Sequence, residues 1–292
     1  SQTLSELLNF APHDLHSRAS ADLVRAIIDL RAAKTPEEII EIEKALEISA
    51  EMHILAMKLT RPGKYERDIV AALEAMAYAL GGRTAYPTIF TINGQTLHNH
   101  DHSHVMQEGD IVVNDSGAES AMHYASDITR TIPVSGKFSS QQAYFYDLVL
   151  KSENEGIALV APGRRFRDVH LHCSRVLLEG LKDDGLVRGN IDDALEQGVQ
   201  GLFFQCGVGH KIGLDTHDME DLGEDLVGYD AETQRSTQFG LKSLRLAKAL
   251  EPGYVVTVEP GLYFIPEQID LWAGEKRFAE FVNYDKLMNF KD

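Results

Sequence analysis

The sequence predicts an α+β fold, a mostly antiparallel sheet flanked by helices. Three observations carry this expectation. Apolar residues recur at helical spacing early in the chain and again in its middle. β-rich runs with polar tips lie between and after those stretches. The two kinds of segment do not alternate in the regular βαβ manner that builds parallel sheets. No internal repeat and no low-complexity segment stands out.

Residues 1–33 read as a leader with apolar groups such as Leu23, Val24, Ile27 and Ile28. A helix start follows. Thr35 can cap, Pro36 takes the first helical position, and Glu38 completes a capping box. Ile39, Ile42, Ala45 and Ile48 then recur at helical spacing, so the helix is expected to reach Leu59, ahead of Pro62-Gly63. Tyr65 to Leu80 reads as a second helix, stopped by Gly81-Gly82. The run Pro87-Thr-Ile-Phe-Thr-Ile-Asn-Gly is β-like and ends in a turn signal. Ile111 to Asp115 is a short strand, Ser116-Gly117 turns it, and Tyr124 to Pro133 returns. Helices are expected again at Gln141 to Val160 and Phe166 to Leu181. After Phe203 strands are expected at Val208 to Leu214, Tyr254 to Glu259 and Gly261 to Ile265.

Composition narrows the function classes. Charged and apolar fractions are those of an ordinary globular domain, which argues against disorder. The formal charge of -17 repels phosphate backbones, so no nucleic-acid partner is expected. Two cysteines, Cys173 and Cys206, are too few for a disulfide framework and fit a reduced, cytoplasmic setting. No apolar run approaches the ~18 residues of a membrane span. The first residues lack a basic stretch followed by an apolar one, so no signal peptide is visible, although a processed start could have lost one.

The chemistry-bearing residues sit on the β-like segments. Asp115 ends one strand and Asp127 lies on its return, so a hairpin can bring the two carboxylates face to face. Two carboxylates a few Å apart repel unless a cation lies between them. His210 follows in Gly207-Val-Gly-His-Lys-Ile-Gly, where glycines permit close backbone approach, and Glu259 ends a strand before Pro-Gly. Carboxylates with one imidazole make a hard site suited to Mn²⁺, Co²⁺ or Zn²⁺ at a catalytic centre. Two such ions could activate water, polarise a carbonyl and steady an oxyanion. Each residue alone has an ordinary reading as a turn former or a satisfied polar group. The set is more specific than its members.

Asp115-Ser-Gly-Ala-Glu, Ala125-Ser-Asp-Ile-Thr-Arg-Thr-Ile-Pro, Gly207-Val-Gly-His-Lys-Ile-Gly-Leu-Asp-Thr-His-Asp and Val256-Thr-Val-Glu-Pro-Gly-Leu-Tyr together resemble the pita-bread metallopeptidases. That family includes methionine aminopeptidase, aminopeptidase P, prolidase and creatinase. The likeness runs from about Thr35 to the end of the chain. It implies a pita-bread fold with a curved sheet and two divalent ions. Asp115 would chelate one ion, Asp127 would bridge both, and His210 and Glu259 would hold the second. His98 and His217 would donate hydrogen bonds near the scissile bond. His98 sits in a run with His100, His102 and His104, which leaves a plain loop role open.

Within the family, Gly240-Leu-Lys-Ser-Leu-Arg-Leu-Ala-Lys resembles the prolidase segment whose arginine grips a dipeptide's C-terminal carboxylate. That arginine would be Arg245, and a guanidinium fork suits the task. A surface salt bridge is the alternative. The extension after Tyr263 is shared with prolidases and some aminopeptidase P proteins. The reading is therefore hydrolysis of Xaa-Pro dipeptides, a small peptide substrate. The alternatives are an Xaa-Pro aminopeptidase, a creatinase-like enzyme, or a non-catalytic peptide-binding pita-bread domain.

Two departures from the family pattern matter. Cys206 stands four residues before His210, where many relatives have another histidine, and a thiol is a poorer donor. The family's fifth ligand is a glutamate in an Arg-Ile-Glu-like strand, and Phe290-Lys-Asp292 stops short of it. The resemblance then implies a chain lacking that glutamate and its strand, with weak or absent metal binding. It likewise implies that residues 1–33 are tail and linker from a separate amino-terminal domain, that 34–292 form the catalytic domain, and that the longer protein is a homodimer.

Overall fold

The computed structural model describes residues 2–9, 11 and 19–291, so part of the leader and Asp292 lie outside the described residues. After α1 (Gln2–Leu8), helix α2 (Ala21–Ala32) starts at Ser20, whose hydroxyl accepts from Leu23 N–H. Helix α3 (Pro36–Leu59) opens with the expected capping box between Thr35 and Glu38. Helix α4 (Glu66–Ala79) ends two residues before Gly81. Both helices bury one apolar stripe, and Met52, Ala56, Ile69 and Leu73 share a core with Phe90, Val112 and Ile132.

That core lies against three antiparallel strands, β2 (Ile89–Thr91), β3 (Ile111–Asp115) and β5 (Thr129–Pro133), in the order β2-β3-β5. Strands β1 (Arg83–Thr84) and β4 (Ala118–Glu119) form a second small ladder. Asp115 pairs with Ile89 on one side and Thr129 on the other. Two strand expectations shorten here. Pro87 has no N–H to give a ladder, and β2 begins only at Ile89. The return from Tyr124 makes one bridge, Ala125 to Glu119, before β5 begins at Thr129.

Helices α5 (Ser140–Leu159) and α6 (Phe166–Asp183) build a second core with Phe204, Val208, Leu246 and Leu250. Helices α7 (Ile191–Gln197), α8 (Glu224–Gly228), α9 (Pro266–Gly274) and α10 (Tyr284–Leu287) complete the set. The expected strands at 208–214 and 254–259 lie side by side without a regular ladder. Glu259, Thr257 and Ile212 N–H groups donate to Val208, His210 and Val255 carbonyls, an antiparallel register centred on Lys211 and Val256. Gly261–Ile265 is not a strand; Tyr263 N–H donates to Phe203 O, and Pro266 then starts α9.

The expectation of no internal repeat is corrected by the backbone. Arg61-Pro-Gly-Lys-Tyr-Glu-Arg-Asp-Ile links α3 to α4, and Ala161-Pro-Gly-Arg-Arg-Phe-Arg-Asp-Val links α5 to α6. Gly63 N–H donates to Met106 O, and Gly163 N–H donates to Leu250 O. Tyr65 bridges Val105, and Arg165 bridges Ala249. Downstream, Gly109-Asp-Ile-Val-Val-Asn-Asp115 matches Gly253-Tyr-Val-Val-Thr-Val-Glu259 in order and spacing. The chain thus holds two related halves, and Asp115 and Glu259 occupy equivalent positions. Among the described residues, no helix is long and apolar enough to cross a membrane.

Candidate metal centre

The hairpin that carries Asp115 and Asp127 is fastened to α3. His53 Nε2 donates to Ser116 O at 3.0 Å, and Asn114 Nδ2 donates to His53 Nδ1 at 3.0 Å. Ser126 Oγ lies 2.7 Å from Ser49 Oγ and donates to Ala45 O at 3.0 Å. Gly117 permits the turn, since a Cβ there would meet Ser126 O at 1.9 Å. With the Ser116 N–H bond to Ile128 O at 3.1 Å, these contacts hold the backbone on both sides of Asp127.

The second half supplies the partner wall. A Cβ at Gly209 would meet Thr257 O at 2.2 Å, so glycine lets the 208–212 and 255–259 segments touch. His210 Nδ1 donates to Lys211 O at 2.9 Å, which directs Nε2 toward the carboxylates. His210 Nε2 lies 3.1 Å from Glu259 Oε1 and 3.3 Å from Asp127 Oδ2. One donor atom from each of Asp127, His210 and Glu259 falls within 4.8 Å of the others. Asp115 is outside that trio but is tied to it. The Tyr86 hydroxyl lies 2.6 Å from Asp115 Oδ1 and 2.9 Å from Asp127 Oδ1.

Electrostatics follow from this crowding. Burial and the Asp127 charge push the Asp115 carboxyl up. Burial opposes ionisation of Asp127 too, but the His210 contact outweighs it and holds that carboxyl down. Burial works against a charged His210, yet its two carboxylate partners raise it to about 10. The set gathers positive charge wherever it can, as a donor cluster suited to a cation should. The backbone carbonyl on Nδ1 is also the outer contact that a metal-binding histidine needs. The residues therefore fit a divalent ion.

A cavity of about 350 Å³ opens over this cluster, lined by Asp115, Asp127, His210 and Glu259 together with His98, His100 and His217. Pro87, Ile89 and Leu214 give it apolar wall. The His210 and His217 rings meet edge to face with centroids 4.3 Å apart. The His-rich run divides by role. His102 Nδ1 contacts Phe90 O at 3.2 Å, and His104 Nδ1 contacts Glu66 Oε2 at 3.0 Å. Those two fasten the loop, and His98 and His100 reach the cavity.

Arg245 lies against α8. It is absent from the cavity lining and ion-paired with Glu220, with Glu224 3.7 Å away. Cys206 is half-buried and lies off the lining as well; burial and the nearby Glu259 charge push its thiol up. Tyr86 was missed by sequence reasoning. Its signal was faint, an aromatic before Pro87 with nothing in the spacing to join it to Asp115.

Residues 41–282 match the model of metallopeptidase family M24. The chain is 36% identical to an Escherichia coli (strain K12) Xaa-Pro aminopeptidase over 244 residues, covering 82% of this chain and 50% of that protein. It is 32% identical to a Homo sapiens Xaa-Pro dipeptidase over 273 residues, covering 91% and 54%. Among solved structures it resembles a Zn-substituted E. coli aminopeptidase P in complex with product, at 35% identity and a TM-score of 0.73, covering 84% of this chain and 51% of that one. The chain spans about half the length of the curated relatives it matches.

Proposed function

We propose that this chain, which belongs to metallopeptidase family M24 and has its pita-bread fold, carries the metal-dependent hydrolysis of peptide bonds that precede proline, Xaa-Pro dipeptides first. The observation that carries the reading is the convergence of Asp127, His210 and Glu259, with Asp115 beside them, in a cavity also lined by His98 and His217. Asp115, Asp127, His210 and Glu259 would hold the ions, with Mn²⁺ first and Co²⁺ or Zn²⁺ as alternatives. Bound ions supply Lewis acidity and an activated water at neutral pH. His98 and His217 would donate hydrogen bonds to charge developing on the scissile carbonyl, where preorganised donors matter most. Pro87, Ile89 and Leu214 would take apolar parts of the peptide and keep water out.

Arg245 would grip the free carboxylate of a dipeptide. Its pairing with Glu220 favours a second reading, an aminopeptidase on longer peptides, because a guanidinium already matched to a carboxylate has less to offer another. Residues 1–33 as tail and linker, a cytoplasmic setting and a homodimer belong to the same proposal. The deciding experiment measures release of proline-containing products from Xaa-Pro dipeptides and Xaa-Pro tripeptides with Mn²⁺. Dipeptide turnover that falls at least ~100-fold in His210→Ala supports the reading. Faster tripeptide turnover moves it to the aminopeptidase. Binding of Pro-Leu without any turnover points to a peptide-binding domain.

A further inference from the structure

The loop Gly213–Asp218 forms one wall of the cavity, and Leu214, Asp215, Thr216 and His217 line it. The far end of the loop is pinned by Asp218, whose side chain is 1% exposed. Arg31 Nη2 donates to Asp218 Oδ1 at 2.6 Å, and Lys34 Nζ donates to Oδ2 at 2.7 Å. Arg31 also reaches Asp215 Oδ2 at 2.8 Å. Both cations come from α2 and the residues just after it.

The backbone extends the same tie. Asp218 N–H donates to Lys211 O at 3.0 Å, and Lys34 N–H donates to Gly253 O at 2.7 Å. Ala125 N–H, close to Asp127, donates to Gly213 O at 2.8 Å. An apolar seam backs these bonds, where Ile28 and Ala32 pack with Met219 and Val227. Asp218 and Lys34, through the ion pair and these backbone bonds, therefore join α2, the His210 segment and the turn into the Glu259 segment. A buried ion pair is a costly way to gain stability, since apolar packing serves as well. Its advantage is direction: two cations on two oxygens fix the orientation of the carboxylate and of the backbone that bears it. The residue whose aim depends on that backbone is the neighbouring His217.

We propose that Arg31, Lys34 and Asp218 are positioning residues, through which the segment ahead of α3 holds His217 in place over His210. The kinetic part of this rests on the hydrolytic reading above; the structural part does not. The test compares Arg31→Met and Arg31→Lys with the parent chain, and adds Asp218→Asn. Arg31 is partly exposed, and protection of β3 reports whether its variants keep the fold. Hydrogen exchange of residues 213–219 needs no activity. It should accelerate about tenfold or more in Arg31→Met and Asp218→Asn, and stay within about threefold in Arg31→Lys, with β3 protected throughout. In the Mn²⁺-loaded protein, kcat should fall roughly 10- to 100-fold with KM within about threefold, because aim is lost and binding is not. Arg31→Lys should recover most of that loss. Unchanged loop exchange in both disruptive variants overturns the proposal, as does faster exchange spread evenly over the molecule. A parent chain that hydrolyses nothing defeats the catalytic reading alone, and loop exchange still decides whether the tie exists.

Discussion

One hydroxyl serves two carboxylates at the mouth of the hairpin. Tyr86 has a single proton to share between Asp115 and Asp127, and burial with both negative charges pushes its own ionisation well up. Both effects favour the protonated, donating phenol. Tyr86→Phe would leave the carboxylates without it, and Mn²⁺ affinity, read by calorimetric titration, is expected to weaken about tenfold, the low end for lost outer contacts at a metal site. A second residue gives a pH signature away from the site. His170 is fully buried against Phe204, and burial lowers its imidazole to about 3. Its folded value lies below its unfolded value of about 6.5. Its neutral form therefore contributes stability that is full above pH 6.5 and is lost as pH falls toward 3. Between pH 7 and pH 5 the parent chain should lose on the order of 2 kcal/mol more than His170→Leu in urea unfolding. Equal losses would show that the imidazole is solvated.

At the scale of elements, the loop that carries His98 depends on α4. Glu66 is 0% exposed and accepts from Ile92 N–H at 2.8 Å and from the His104 ring at 3.0 Å. Glu66 and Arg67 N–H groups donate in turn to His104 and His102 carbonyls. Glu66→Gln would turn an amide N–H toward a backbone donor, so a loss of about 1–3 kcal/mol is expected in chemical unfolding. Local patterns of this kind decide what was legible in the sequence. The capping box at Thr35 is written in three residues, and the start of α3 followed from it. The gathering of Asp127, His210 and Glu259, with Asp115 beside them, was legible from the motifs taken together and not from any one residue. Arg245 was legible as a motif only: its pairing with Glu220 depends on how a loop near α8 folds, and spacing carries no trace of that. The strands at 208–214 and 254–259 were overread, because glycines and His210 distort the ladder just where the site needs it. Asn190, with Asp192 and Asp193 behind it and Gly198 at the far end, was a readable helix signal for α7 that went unused. The repeat was missed for another reason. Asp115 and Glu259 differ in type, and the glycines at 109 and 253 matter only once both are known to end turns at positive φ.

At the scale of the whole molecule, the two related halves meet at the metal centre. Asp115 and Asp127 come from one half, and His210 and Glu259 from the other. An ion held by Asp127, His210 and Glu259 would cross-link the halves, and would bind the folded chain far better than the unfolded one. Folding stability must then rise with metal concentration. The size of the rise depends on affinity. Metal is therefore titrated from micromolar to millimolar concentration. At ten times the dissociation constant the gain is about 1.4 kcal/mol. For a chain of this size that corresponds to a rise in melting temperature of roughly 2–3 °C. Thermal unfolding with Mn²⁺, and again after chelation, reads it directly. His210→Ala should abolish the shift, because it removes the one ligand that contacts carboxylates from both halves. A metal-induced shift that survives in His210→Ala would place the ion at a different set of residues altogether.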